Sequence, residues 1–262
     1  MTILESIVLG LIQGLTEFIP ISSSGHLVIA QYFFSGASEH LFLEWINIGT
    51  MLALVVYFWQ RILTIFGDIF VRKNYRLLRN IIITSVPAGI VGYLAADFIA
   101  GSAFFGSVEV VAVMALVVGI IMIVLERLPK ASAIENGEAL TKPRALAIGL
   151  AQMVALIPGT SRSGATIIAG RLSGLSAKEA AEYSFLASLP IMAGVTLKVV
   201  IQDHAYFVAN VDALIVGNIA AFLSGLFAVG FLMRYLAKHG LALFGWYRVG
   251  LAVVLATILL LQ

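Results

Sequence analysis

Six apolar stretches, near residues 44 to 66, 79 to 98, 108 to 127, 183 to 201, 212 to 235 and 244 to 262, constrain this chain more than any other feature. Crossing a hydrocarbon core of about 30 Å takes roughly 20 apolar residues in an α-helix, so each stretch predicts one spanning helix. Composition points the same way: 61% of the 262 residues are hydrophobic and 11% charged, and the mean hydropathy is +1.03. That leaves too few polar side chains to cover a soluble domain. The expected fold is therefore an all-α integral membrane protein, with residues 1–262 as a single membrane domain.

Two further apolar regions, 3 to 34 and 144 to 175, are interrupted at their middles by IPISSSGH and IPGTSRSGAT. Each piece is too short to span, which predicts two re-entrant helical hairpins. Backbone that leaves the helix at membrane depth is tolerated only inside protein or beside a wet cavity, so both tips are expected to face the interior. No basic leader or small-residue cleavage site opens the chain, and residue 1 onward is expected to be mature protein.

Basic residues orient the spans, because Lys and Arg collect on the cytoplasmic side. Arg61, Arg72, Lys73, Arg76 and Arg79 fall in one connection, Arg127, Lys130, Lys142 and Arg144 in a second, and Arg234 and Lys238 in a third. The connections 98 to 108 and 201 to 211 carry neither residue type. This alternation predicts both termini outside, with the first tip entering from outside and the second from the cytoplasm. The group from Arg72 to Arg79 also suits a surface for anionic lipid. A net charge of +2 with scattered basic residues excludes a nucleic-acid surface, and the absence of cysteine excludes disulfides, thiolate metal sites and thiol nucleophiles.

An offset of 139, the interval from Gly10 to Gly149, also pairs Gln13 with Gln152, Ser22 with Ser161, Ser24 with Ser163 and Gly25 with Gly164. Halves 1–130 and 140–262 would each hold one hairpin and three spans, and an odd number of spans inverts one copy against the other. Inverted repeats of this kind place their site at the midplane where broken helices meet.

Chemistry-bearing residues concentrate in the two breaks. Gln13 and Glu17 share a helix face, and a carboxylate inside an apolar run needs a partner. Ser22, Ser23 and Ser24 fall at a half-helix start with His26 one turn on. They suit either a helix cap or a nucleophile and base. In the second break Arg162 stands between Ser161 and Ser163, with Thr166 a turn later. Helix N-terminal N–H groups and a guanidinium fork both suit a phosphate. Two such tips converging make a site for a phosphate or pyrophosphate, and His26 points to reaction rather than binding alone. Tyr247 and Arg248 open the last span, where Arg248 is expected to snorkel to the interface. Gly49 and Pro87 are expected to serve close packing and a kink, and small residues on several spans would permit a homodimer.

QGLTEFIPISSSGH from Gln13 to His26 and PGTSRSGAT from Pro158 to Thr166 resemble the two signatures of the undecaprenyl pyrophosphate phosphatases associated with bacitracin resistance. The resemblance extends through LEWINIGTMLALVVYFWQR and AAEYSFLASLPIMAG to nearly the whole chain. It implies a multi-pass protein of the bacterial inner membrane that removes the terminal phosphate of a C55 polyprenyl pyrophosphate. That reaction regenerates the lipid carrier for peptidoglycan synthesis, and it implies Mg²⁺ or Ca²⁺. Position by position, Gln13 and Glu17 become the metal pair, Ser23 and His26 the nucleophile region, and Ser161, Arg162, Ser163 and Thr166 the phosphate loop. Many members carry Glu where this chain has Gln13, so substrate phosphates must supply more of the metal's oxygens. Ser23 with His26 as base and His26 as direct nucleophile both fit, and a lipid-phosphate flippase is the rival reading.

Overall fold

The computed structural model describes residues 1–30, 34, 40–128 and 134–261. Lys130 of the second basic connection, residues 31–33 of the first broken region and Gln262 of the last expected span lie outside the described residues. In chain order the helices are α1 (Ile3–Phe18), α2 (Ser23–Ala30), α3 (His40–Tyr57), α4 (Trp59–Phe70), α5 (Arg76–Leu94), α6 (Ala96–Gly101) and α7 (Ala103–Gly106). They continue with α8 (Val108–Leu125), α9 (Lys142–Val154), α10 (Arg162–Leu172), α11 (Ala177–Gln202), α12 (His204–Ala209), α13 (Val211–Leu236) and α14 (Ala242–Leu260).

Helices α3, α5, α8, α11, α13 and α14 are long and apolar enough to cross a membrane. Their 18 to 26 residues make about 27 to 39 Å at the α-helical rise, against a core of about 30 Å. Only 33–44% of each spanning window is buried. The outward positions, among them Ile82, Ile90, Val113, Ile120, Leu223 and Phe227, are apolar. Such an outer surface is solvated by hydrocarbon and not by water, so the chain is a multi-pass membrane protein.

The first span is shorter than the apolar run from 44 to 66 suggests, because the helix breaks at Phe58. Helix α4 beyond it buries no residue and aligns Trp59, Leu63, Phe66 and Phe70 along one exposed face. That apolar stripe is what hydropathy counted as the end of a span. Arg61 on the other side of α4 bonds Glu182 of α11 at 3.0 Å. Helix α11 starts at Ala177, where Ser176 caps the Glu179 N–H, so Lys178, Glu179 and Glu182 lie in its first turns.

Helices α1 and α2 contain 16 and 8 residues, and α9 and α10 contain 13 and 11; each is shorter than the roughly 20 residues a span requires. Helix α1 lies parallel to α13: Gly10 meets the Gly217 carbonyl, and Gly14 meets the Ala221 carbonyl and the Ser224 hydroxyl. Helix α9 lies parallel to α5 in the same way, with Gly149 on the Ile83 and Thr84 carbonyls and Leu156 reaching Gly92. Helices α8 and α14 run antiparallel, joined where Gly119 and Gly245 each face the other's carbonyl. One apolar cluster, including Phe18, Leu54, Met122, Ile148, Tyr183 and Leu232, ties these layers together.

The close approach of α1 to α13 leaves no room for a side chain at Gly14. Gly14→Ala is expected to destabilise the protein by about 1–3 kcal/mol through overpacking. Gly89→Ala, where a Cβ meets nothing within 4 Å, should match or exceed wild type because alanine favours the helix. Thermal unfolding of both variants in detergent checks the pair.

Candidate active site

Pro20 has no N–H to continue α1 and holds Ile19 in an extended conformation, with ψ 133°. The chain restarts as a helix at Ser23 after Ser22 takes a φ of 73°. Ser161, at the offset of 139 from Ser22, has a φ of 70°. Left-handed backbone in a serine costs about 1–3 kcal/mol and persists where its surroundings over-determine it. Here each serine caps the helix that follows, Ser22 accepting from the Gly25 N–H at 3.3 Å and Ser161 from the Gly164 N–H at 3.2 Å. Each also bonds the second serine onward, Ser22 to Ser24 at 3.0 Å and Ser161 to Ser163 at 3.1 Å. The two breaks are therefore built alike and present the first-turn N–H groups of α2 and α10.

They meet at Glu17. Its Oε1 lies 2.6 Å from Arg162 Nη2, while Oε2 accepts from Ser23 Oγ at 2.9 Å and from Gln13 Nε2 at 3.1 Å. Glu17 and Arg162 keep 14% and 22% of their side chains accessible, so this ion pair is recessed but reachable. A direct bond from the Gly159 N–H to Ser24 Oγ, at 3.2 Å, joins the tips a second time.

His26, expected to be the base for Ser23, is bonded elsewhere. Its Nδ1 lies 2.8 Å from the Ser22 carbonyl oxygen and its Nε2 lies 2.7 Å from the Tyr247 hydroxyl. A carbonyl only accepts, so Nδ1 carries the proton and Nε2 accepts a hydrogen bond from the Tyr247 hydroxyl. The Ser23 hydroxyl donates its hydrogen bond to Glu17. Thr166, expected in the phosphate loop, is buried and gives its hydroxyl to the Arg162 carbonyl at 2.8 Å. It also pairs with the Ser184 hydroxyl, so it braces the start of α10.

Sequence reasoning missed Asn47, Tyr247 and Arg248 as parts of this assembly. Asn47 accepts from Gln13 Nε2 at 2.7 Å. Arg248 does not snorkel: it is 0% exposed and bonds the Pro20 and Gly159 carbonyls, one from each break. A polar residue inside an apolar span marked Asn47 and Arg248 as needing partners without saying which, and half-exposed Tyr247 gave no signal.

The same network tests the expected divalent cation. Asn47 Nδ2 donates to the Leu43 carbonyl, which turns Asn47 Oδ1 toward Gln13 and fixes the Gln13 nitrogen toward both its acceptors. Gln13 thus offers N–H where a ligand must offer oxygen. Glu17 is the one carboxylate of the network, and Arg162 already holds it. Among the described residues no group of three or more His, Cys, Asp or Glu stands together. These donors do not fit a cation held by the protein alone, since Mg²⁺ and Ca²⁺ take about six or more oxygens.

Comparison with known proteins agrees with the geometry. Residues 6–254 match the sequence profile of the family described as bacitracin resistance protein BacA. The chain is 38% identical to an undecaprenyl-diphosphatase of Nitrosomonas eutropha, over 96% of this chain and 93% of that protein. It is 36% identical to undecaprenyl-diphosphatase 1 of Mesorhizobium japonicum, over 97% and 95%. It is 35% identical to an undecaprenyl-diphosphatase of Desulfitobacterium hafniense, over 96% and 94%. With its two serine-capped breaks joined through Glu17 and Arg162 and a match over almost its full length, this chain belongs to the BacA bacitracin resistance protein family.

Proposed function

We propose that this protein is an undecaprenyl-diphosphate phosphatase, which hydrolyses undecaprenyl pyrophosphate to undecaprenyl phosphate and inorganic phosphate in the bacterial plasma membrane. Recycling the carrier in this way serves peptidoglycan synthesis and opposes bacitracin. The observation that carries the reading is the meeting of Arg162, Ser23 and Glu17. An anion-binding fork, a hydroxyl and the acceptor for its proton stand together where two helix N-termini converge.

In the proposed reaction the pyrophosphate takes the Arg162 guanidinium and the N–H groups of α10, with Ser161 and Ser163 shaping that turn. Phosphate competes with Glu17 for the fork, which leaves the carboxylate free to act on Ser23. Ser23 Oγ forms the new P–O bond to the terminal phosphorus as the anhydride bond to undecaprenyl phosphate breaks. The Ser23 proton passes to Glu17. Water then attacks the phosphoserine and releases inorganic phosphate. The transition state is loose, so positioning and charge neutralisation supply most of the acceleration. Gln13 and Asn47 orient Glu17, and His26 with Tyr247 holds the start of α2.

Mg²⁺ or Ca²⁺ belongs to the proposal as a companion of the substrate: phosphate oxygens would supply most of its ligands, and the ion would neutralise part of the headgroup's charge. The re-entrant hairpins and the inverted repeat belong to it as well. Antiparallel α8 and α14, corresponding under the offset of 139, support the inversion. So does the exchange that relates α1 on α13 to α9 on α5. Outward-facing Gly194 and Gly250 leave space for a second copy, and the homodimer remains part of the proposal. A lipid-phosphate flippase would use the same anion site, but the bond from Ser23 to Glu17 has no task in it.

The experiment is phosphate release from C55 polyprenyl pyrophosphate by purified protein in detergent. Release with Mg²⁺ or Ca²⁺ that chelation abolishes is expected, while either cation alone leaves the thermal midpoint of substrate-free protein unchanged. Folded protein that releases no phosphate with either cation would turn the reading toward transport.

A further inference from the structure

Among the described residues Arg248 is the largest fully buried side chain, about six residues into α14, and no carboxylate pairs with it. Its N–H groups go instead to four backbone carbonyls. Nε reaches Ala115 at 3.4 Å, Nη1 reaches Pro20 at 3.3 Å, and Nη2 reaches Met114 at 3.2 Å and also Gly159. Met114 and Ala115 belong to α8, Pro20 to the first break and Gly159 to the second. Gly119 makes room for this side chain, because a Cβ there would come within 3.0 Å of the Arg248 Cβ. Gly159 has a φ of 87°, and any Cβ on it would strike the Val111 backbone, so the second break is pressed against α8.

A buried guanidinium is costly at membrane depth, and neutral carbonyls satisfy its hydrogen bonds without cancelling its charge. For packing alone, an apolar residue would serve. What the planar fork adds is geometry: it fixes two carbonyls from different halves of the chain against one rigid helix pair. Pro20 lies three residues before Ser23 and Gly159 three before Arg162. We propose that Arg248 is a positioning residue that sets the separation of Ser23 from Arg162. The proposal rests on the phosphatase reading for its consequence in rate, and on Arg248's contacts for its consequence in geometry.

The chain has no cysteine, so a nitroxide pair at Leu15→Cys on α1 and Leu172→Cys on α10, both exposed, reports the separation of the two broken helices. Arg248→Lys keeps the charge but loses the fork. It is expected to lower kcat by about 10²-fold, the order that a displacement of about 1 Å brings, with KM changed less than threefold on the same order-of-magnitude scale. The label distance distribution should broaden or shift, while the thermal midpoint shows the protein folded. Should Arg248→Lys fail to fold, Ser24→Ala, which removes the acceptor of the Gly159 N–H together with the partner of the Ser22 hydroxyl, is expected to shift the distribution and lower kcat by about fivefold to tenfold on that scale.

Folded Arg248→Lys with kcat within about twofold of wild type would overturn the proposal, twofold being too small for the misplacement expected. A lowered kcat with an unchanged distance distribution would overturn it as well. If wild type released no phosphate, the phosphatase reading would fall by itself, and the label distances would still decide whether Arg248 holds the joint.

Discussion

Arg162→Ala is expected to reduce phosphate release by about 10³-fold or more, the range that a guanidinium contributes when it neutralises charge on a transferring phosphoryl group. The pair with Glu17 at 2.6 Å shows the fork aimed into the junction of the two breaks. Arg162→Lys should recover part of this loss and not all of it, since an ammonium keeps the charge without the bidentate geometry. Loss of folding is the confounding effect, because removing Arg162 leaves the Glu17 carboxylate unpaired. A fully buried pair broken this way costs about 3–5 kcal/mol. Here 14% and 22% of the two side chains remain accessible, so the cost should sit below that range through solvent screening. Thermal unfolding of Arg162→Ala therefore separates the two effects: a folded variant without activity supports the phosphate role. A folded variant within tenfold of wild type would remove Arg162 from the reaction, given the contribution expected of it.

The breaks were readable in the sequence because Pro20, the serines, Gly159 and Arg162 have no other use inside apolar runs. Local chemistry dictated their form: a residue held extended before Pro20, a capping serine, then a half-helix. Residues supplied by distant helices were not readable. Asn47, Tyr247 and Arg248 reach the site from α3 and α14, and nothing in their immediate neighbours says which way those helices turn. Arg248 lies too deep for the snorkelling expected of it. Six residues into a helix is about 9 Å from its start, deep for a side chain that must return its charge to the interface. His26 shows a different limit. A spacing of three residues puts it near Ser23, but helical side chains lean toward the preceding turn, and the Ser22 carbonyl and Tyr247 claimed both ring nitrogens. The break at Phe58 has no Gly or Pro to announce it, so hydropathy ran the first span into α4.

Ser23→Ala should abolish turnover more completely than His26→Ala, and the contrast decides how the reaction is divided. Ser23 Oγ donates to Glu17 Oε2 at 2.9 Å, whereas both nitrogens of His26 face other partners. Removing the nucleophile leaves only binding and charge stabilisation, so Ser23→Ala should fall by about 10⁴-fold or more. Removing an orienting imidazole should cost on the order of 10- to 10²-fold, because α2 loses its tie to Tyr247 and drifts within its cap. Glu17→Gln should fall short of Ser23→Ala in its loss of rate while holding Gln13 and Arg162 more weakly, since general-base assistance is worth about 10²–10⁴-fold. Quenching turnover in acid gives the independent readout. A phosphoenzyme that survives acid, and that Ser23→Ala eliminates, is the expected result. An acid-labile phosphoenzyme lost in His26→Ala would reverse the assignment, making His26 the nucleophile and requiring Tyr247 to release Nε2 when substrate binds.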